Sequence, residues 1–243
     1  MTTTENQARL NPIKEIILGI SFVCELDKTS IQKFINNEKI MASFPIRKSD
    51  YNTSLSSQKE SESRTRDIDM IKSGIILTNK GSGDKILHLK IGSLSFHRTT
   101  GYESFGSLIK ELSEFWKIFQ SYSDKLVVSD VSLRYLNFVE MDDGELPADL
   151  VKVWVSHPFD EVVNSFSSIR FNLNHSKFTE GIVVSTLGKD QSKQGIILDI
   201  IVRRTNLNSI FHDIDQAYDQ MREIKNNIFQ KCLSDLAKSK YSL

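Results

Sequence analysis

Cysteine is scarce in this chain: two residues, Cys24 and Cys232, stand near opposite ends of 243. One long-range bridge can be drawn between them, but such a pair builds no disulfide framework, and two buried, reduced thiols are the expectation. Net charge is missing as well. Lys+Arg 31 is offset by Asp+Glu 31, and the pI is near 7.0, which argues against a generic polyanion binder such as a nucleic-acid protein. No apolar run approaches the length of a membrane span. The best runs, 16–20 and 196–202, have strand length. Residues 1–11 are polar with no apolar h-region, so no secretory signal is expected, and the expected location is the cytoplasm, away from membranes.

The motifs of common chemistries are missing too. There is no G-x-x-x-x-G-K-[ST], and no G-x-G-x-x-G between a strand and a helix. Gly81-Ser82-Gly83 links two strands and reads as a hairpin turn, not a phosphate cradle. His88, His97, His157, His175 and His212 show neither H-x-x-x-H nor C-x-x-C spacing, so no metal site is expected. His212, Asp215 and Asp219 share a helical side and read as a solvated face. No G-x-S-x-G elbow is present, and no cofactor is implied.

What the chain does contain is core-forming pattern. At 39% hydrophobic and 26% charged it is a globular composition, and a chain of this length buries roughly 70–75% of its unfolded surface without metal or bridges. Over 14–22, Ile16, Leu18, Ile20 and Phe22 share one face of a strand. Thr29 and Gln32 form a capping box opening a short helix with Ile31, Phe34 and Ile35 as its stripe. Residues 47–72 are dominated by polar and charged types and are expected to be a mobile loop. A hairpin follows, with strands 75–79 and 85–96, the second carrying a bulge at Gly92-Ser93. Leu108, Leu112, Phe115, Trp116 and Phe119 mark an amphipathic helix, and 127–141 is the next strand.

In the second half a helix is expected over 147–154. Strands are expected at 168–174, 181–187 and 195–204, with a polar hairpin turn at 188–194, and a long helix over 208–240. The fold class is therefore α+β: a mainly antiparallel sheet of about seven strands with helices on one face. The first half is ferredoxin-like in order, β-α-β-β-α-β, and a long C-terminal helix closes the chain. Residues 1–243 are read as one domain, with 11–142 and 143–243 as the alternative subdomains.

Two polar clusters are the candidate ligand-binding residues. His97 and Arg98 close one strand; Arg134, Tyr135 and Asn137 sit within another. Arginine on a strand is a rigid anion reader, although the default is a sheet-surface polar network pairing Arg134 with Glu140 or an acid of a neighbouring strand. Asp199, inside the run 196–202, must face solvent or find a partner, and a cross-strand ion pair is the default. Its alternative use, with Arg203, Arg204 or Arg134, would be as a hydrolase or nuclease. On the terminal helix Ile210, Ile214, Ala217, Met221, Ile224 and Ile228 make a short heptad-like seam, whose phase slips at Cys232, Leu233 and Leu236. Phe211, Tyr218, Lys225 and Phe229 broaden its apolar side. Docking on the chain's own sheet is expected, and a homodimer through this helix is the alternative.

The segment Asn11-Pro12-Ile13-Lys14-Glu15-Ile16-Ile17-Leu18-Gly19-Ile20-Ser21-Phe22 resembles the opening of a sporadically distributed family of bacterial conserved hypothetical proteins. Leu94-Ser95-Phe96-His97-Arg98, Tyr102 to Phe105, Phe115-Trp116 and Leu133-Arg134-Tyr135-Leu136-Asn137 resemble it in the same order, over about residues 11–140. Residues 47–72 have no counterpart in that pattern. The resemblance implies no activity, cofactor or catalytic residue. It implies an accessory role, of the kind carried on defence or toxin-neutralising loci. The expectation is a non-catalytic cytoplasmic binding protein for a protein partner or a small ligand.

Overall fold

The computed structural model of the chain describes residues 11–23, 28–57, 66–81, 83–99, 104–122, 126–154, 166–173, 179–205 and 214–241. It is an α+β structure with a mostly antiparallel sheet. The strands are β1 (Ile13–Val23), β2 (Ile46–Ser57), β3 (Arg66–Thr78), β4 (Lys85–Lys90), β5 (Ser93–Arg98), β6 (Val127–Glu140), β7 (Phe166–Leu173), β8 (Thr179–Asp190) and β9 (Lys193–Arg204). The helices are α1 (Lys28–Ile35), α2 (Glu38–Ser43), α3 (Phe105–Gln120), α4 (Pro147–Leu150), α5 (Ile214–Cys232) and α6 (Asp235–Tyr241). Hydrogen-bonded order in the sheet is β2-β3-β4-β5-β1-β6-β9-β8-β7. The chain divides into two compact units, with β1 split between them at Ile17/Leu18.

The central unit holds Leu18–Ser129 and Asn208–Phe211. Alternation buries Leu18, Ile20 and Phe22 of β1, Leu87 and Leu89 of β4, and Leu94 and Phe96 of β5 on one side. α3 lies against that side because its spacing gathers Phe105, Leu108, Leu112, Phe115, Trp116 and Phe119 into one stripe. Ser104 starts it by accepting the Ser107 N–H at 3.1 Å, satisfying one orphan donor. The contact is aromatic: Phe119 packs 5.1 Å from both Phe22 and Phe34, and Phe115 packs 5.2 Å from Phe44. Tilted and edge-on rings are favoured over sandwiches, so this core is specified by geometry as well as by area.

The terminal unit holds Met1–Ile17, Asp130–Leu207 and His212–Leu243. Here β6, β9, β8 and β7 pair antiparallel, with Tyr135 opposite Ile200 and Val183 opposite Ile200. Val131, Leu133, Tyr135, Val139, Ile196, Leu198, Ile200, Val202 and Val183 are buried on one side, and α5 packs there on β9. From α5 come Ala217, Tyr218, Met221, Ile228, Phe229 and Cys232. Main-chain bonds tie the end of α5 to the segment after α4: Lys152 N–H to Cys232 O at 2.7 Å, and Ser234 N–H to Leu150 O at 2.9 Å.

Several elements differ from the sequence expectation. The segment 47–72 is paired strand over most of its length, since β2 and β3 are partners from Ile46↔Thr78 to Ser57↔Arg66, with a register shift at Asp50/Tyr51. Strand pairing is a main-chain interaction and proceeds without apolar side chains, which is why polarity alone misread it. The strand 85–96 is really two strands. Lys90 pairs with Ser93 across an Ile91-Gly92 turn, and Gly92 takes φ 80, which a glycine adopts freely. Leu89 faces Leu94 across that turn, and the parity change that suggested a bulge is the turn itself. The first half therefore runs β1-α1-α2-β2-β3-β4-β5-α3-β6 and not β-α-β-β-α-β, and the sheet has nine strands where about seven were expected.

In the second half, helix 147–154 shrinks to α4, because Val151 turns extended and bridges to Leu233. The polar turn 188–194 is mostly strand, turning at Gln191-Ser192. The long helix is broken after Cys232: Ser234 accepts the Ala237 N–H on its hydroxyl at 3.1 Å and starts α6. The phase slip at Cys232 and Leu233 marks that break. Ile210, Phe211 and Cys24 lie outside the described residues.

Candidate functional site

Alternation along β6 sends Arg134 to one side of the strands of the terminal unit and Tyr135 and Asn137 to the other. On the Arg134 side, register places Asp199 diagonally across, since Arg134 faces Ile201 and Leu136 faces Asp199. The guanidinium clamps the carboxylate with three contacts: Nε donates to Oδ1 at 2.9 Å and to Oδ2 at 3.1 Å, and Nη2 to Oδ2 at 2.7 Å. Both oxygens of Asp199 are thus engaged in a charge-assisted, two-pronged cross-strand pair. Arg203 reaches a different acid, Asp130, at 2.8 Å. Around the clamp the same register sets Leu136, Ile182, Val184, Ile197 and Ile201, all half-buried, into one apolar field. Charged pairs rim it: Lys14 with Asp190, Lys193 with Glu140, and Arg203 with Asp130. Gly188 and Gly195 leave bare backbone that the Ile197 side chain and the Phe138 ring cover.

The opposite side faces α5. Asn137 is buried and donates from Nδ2 to Leu198 O at 3.0 Å and to Tyr135 O at 3.3 Å. Lys225 of α5 is 5% exposed, and its Nζ stands 3.8 Å above the centre of the Tyr135 ring and 5.8 Å from that of Phe229. Among the described residues no acceptor or carboxylate bonds to it. Burial, with Arg222 adding repulsion, brings its amine down to about 8. Burial also raises the Tyr218 phenol well above its ordinary range and pushes the free Cys232 thiol up to about 11.

In the central unit His97 and Arg98 point to opposite sides of β5. His97 accompanies Ser95, whose Oγ lies 3.0 Å from His97 Nε2. His88, the register partner of Ser95, has its Nε2 2.9 Å from Asp50 Oδ2, and the His88 and His97 rings are 6.5 Å apart. Burial holds His88 below the usual imidazole range despite the Asp50 bond. Arg98, on the other side, approaches Asp84 at 3.9 Å and lies in the field of Glu111, which Lys85 contacts through both oxygens at 2.9 and 3.0 Å. Elsewhere in this unit a shallow cavity of about 450 Å³ is lined by Gln32, Lys33, Asn37, Glu38 and Tyr122.

The candidate residues therefore fall in distinct places: Tyr135 with Asn137, Arg134 with Asp199, His97 with Ser95, and Arg98 with Asp84. Sequence reasoning passed over His88, Asp50 and Ser95, whose only signal was the alternation that sets His88 and Ser95 on one side. Lys225 carried a clearer signal, a lysine within the apolar stripe between Tyr218 and Phe229. Among the described residues no three His, Cys, Asp or Glu side chains converge as a metal site, and no helix is long and apolar enough to cross a membrane. No protein-family model, no curated protein and no solved structure matches the chain.

Proposed function

We propose that this chain is a non-catalytic binding or accessory protein that recognises a protein partner through the Arg134 side of β6, β9 and β8. The observation that carries this reading is the apolar field of Leu136, Ile182, Val184, Ile197 and Ile201 around a self-satisfied Arg134–Asp199 clamp. An apolar centre with charged pairs at its rim is the anatomy of a protein-binding patch. Small ligands select enclosed, concave sites, whereas an apolar patch on a strand surface suits a protein partner. Among the described residues, most of the apolar stripe of α5 is buried within its own unit, whereas the five residues of this field are only half-buried. The clamp suits recognition better than chemistry, because both carboxylate oxygens are already occupied by arginine N–H groups. The resemblance to the sporadically distributed bacterial family supports an accessory role at a defence or toxin-neutralising locus.

The test is affinity purification of tagged chain from its native host, comparing wild type with Val184→Glu and Ile201→Glu. A partner retained by wild type and reduced at least tenfold in both folded variants supports the reading. A partner held equally by all three contradicts the face. Turnover of a nucleotide, nucleic acid or ester by pure protein, abolished by one substitution, contradicts the non-catalytic assignment.

A further inference from the structure

Two opposite charges in the central unit border one concavity and pair with nothing. Lys33, near the end of α1, and Glu38, at the start of α2, both line the cavity of about 450 Å³. Among the described residues neither side chain forms an ion pair or a hydrogen bond, with the other or with any neighbour. The amides between them are already oriented. Asn36 Oδ1 accepts from Arg47 Nη1 at 3.0 Å, and Asn37 Oδ1 accepts the Lys39 N–H at 3.0 Å. With both oxygens occupied, these two amides have N–H bonds left to give. Asn37 Nδ2 donates one of its own to the Tyr122 oxygen at 3.1 Å, which leaves the Tyr122 O–H as a further donor. The wall is tied to the core: Arg47 Nη2 also holds Ile35 O at 2.7 Å, and buried Phe34 packs 5.1 Å from Phe119. The rest of the lining is largely carbon.

We propose that this cavity binds a free apolar α-amino acid. The ligand's carboxylate is received by Lys33 with the amide N–H groups of Asn36 and Asn37, and its ammonium by Glu38. Its side chain lies on the carbon lining. Charge selects this class. A simple anion would answer Lys33 but face Glu38, a simple cation would do the reverse, and a neutral polyol would leave both charges unanswered. A zwitterion satisfies the two at once. The excess of oriented donors beside Lys33 suits the two oxygens of a carboxylate, since charge-assisted bonds are the strong ones. The volume admits a leucine-sized molecule together with water at the open mouth. Both charges stay partly hydrated there, so binding in the range of about millimolar is expected. The site shares no residue with the Arg134 side of β6, β9 and β8, and it adds a small ligand to a protein-binding chain without replacing that reading.

The experiment is ¹H–¹⁵N NMR of the full chain titrated with L-leucine and L-phenylalanine up to about 20 mM. N-acetyl-L-leucine, which lacks the ammonium, and L-leucinamide, which lacks the carboxylate, serve as matched probes. At least one of the two amino acids should give saturable shifts centred on Lys33, Asn36, Asn37, Glu38 and Tyr122. Both leucine derivatives should bind several-fold more weakly than leucine. Lys33→Met should weaken leucine several-fold and leave leucinamide unchanged; Glu38→Gln should weaken leucine and leave N-acetyl-leucine unchanged. Both substitutions are at exposed positions, so the variants should fold like wild type. Absence of saturable shifts with either amino acid overturns the proposal, as does saturation centred on other residues. Derivatives that bind as well as leucine, or variants that weaken all three probes equally, overturn the zwitterion reading.

Discussion

Lys225 puts three N–H donors among Tyr135, Phe229 and the apolar residues of β9, and its titration reports how much that placement costs. The folded amine is held at about 8 against an ordinary 10.5. Between those values the unfolded chain binds the extra proton, so stability rises with pH across the window. The full effect is about 3 kcal/mol. Denaturant unfolding at roughly pH 7.5 and 9.5 should show the rise, below the range where the Tyr218 phenol, kept neutral by burial, opposes it. Lys225→Met should remove this pH dependence and stabilise the chain by about 1–3 kcal/mol at neutral pH. Asn137 predicts the reverse. Its amide joins β6 to Leu198 O, and Asn137→Ala should cost about 1–3 kcal/mol in the same assay. Of the candidate residues, a cross-strand partner for Asp199 was legible because a charge inside a β-run must be partnered, but Glu140, expected for Arg134, is taken by Lys193 instead. The separation of His97 from Arg98 follows from strand alternation. The Asp50–His88 contact was not legible, because it depends on pairing of β3 with β4 and on a strand, β2, that composition had assigned to a loop.

At the scale of elements, strongly periodic segments were readable: β1, α3, β6 and β9 lie within a few residues of their expected bounds. Breaks within a continuing pattern were not. Leu87, Leu89, Leu94 and Phe96 look like one strand until Ile91-Gly92 is seen as a turn, and α5 and α6 look like one helix until Ser234 is seen as a cap. Polar β2 carried too little apolar alternation to signal a strand. Two substitutions test the local physics. A side chain at Gly195 would meet the Phe138 ring and Val139 O at 2.5 Å, so Gly195→Ala should destabilise by about 1–3 kcal/mol in thermal or denaturant unfolding. Ser234→Ala loses the hydroxyl that accepts the Ala237 N–H and should cost about 1 kcal/mol, with hydrogen exchange accelerated first in α6.

Across the whole molecule charge is balanced, and among the described residues most of the apolar stripe of α5 is buried within its own unit, while the Arg134 side of β6, β9 and β8 carries a half-buried apolar field. The Arg134–Asp199 clamp keeps that field free of an unpaired charge, and further ion pairs rim it. The most direct measurement is hydroxyl-radical footprinting of the chain, purified and in native-host extract, read residue by residue by mass spectrometry. The account predicts that Leu136, Ile182, Val184, Ile197 and Ile201 lose several-fold in oxidation rate in the extract while exposed Ile91 and Leu236 do not. Equal oxidation of those five residues in both states, with protection elsewhere or nowhere, would contradict it.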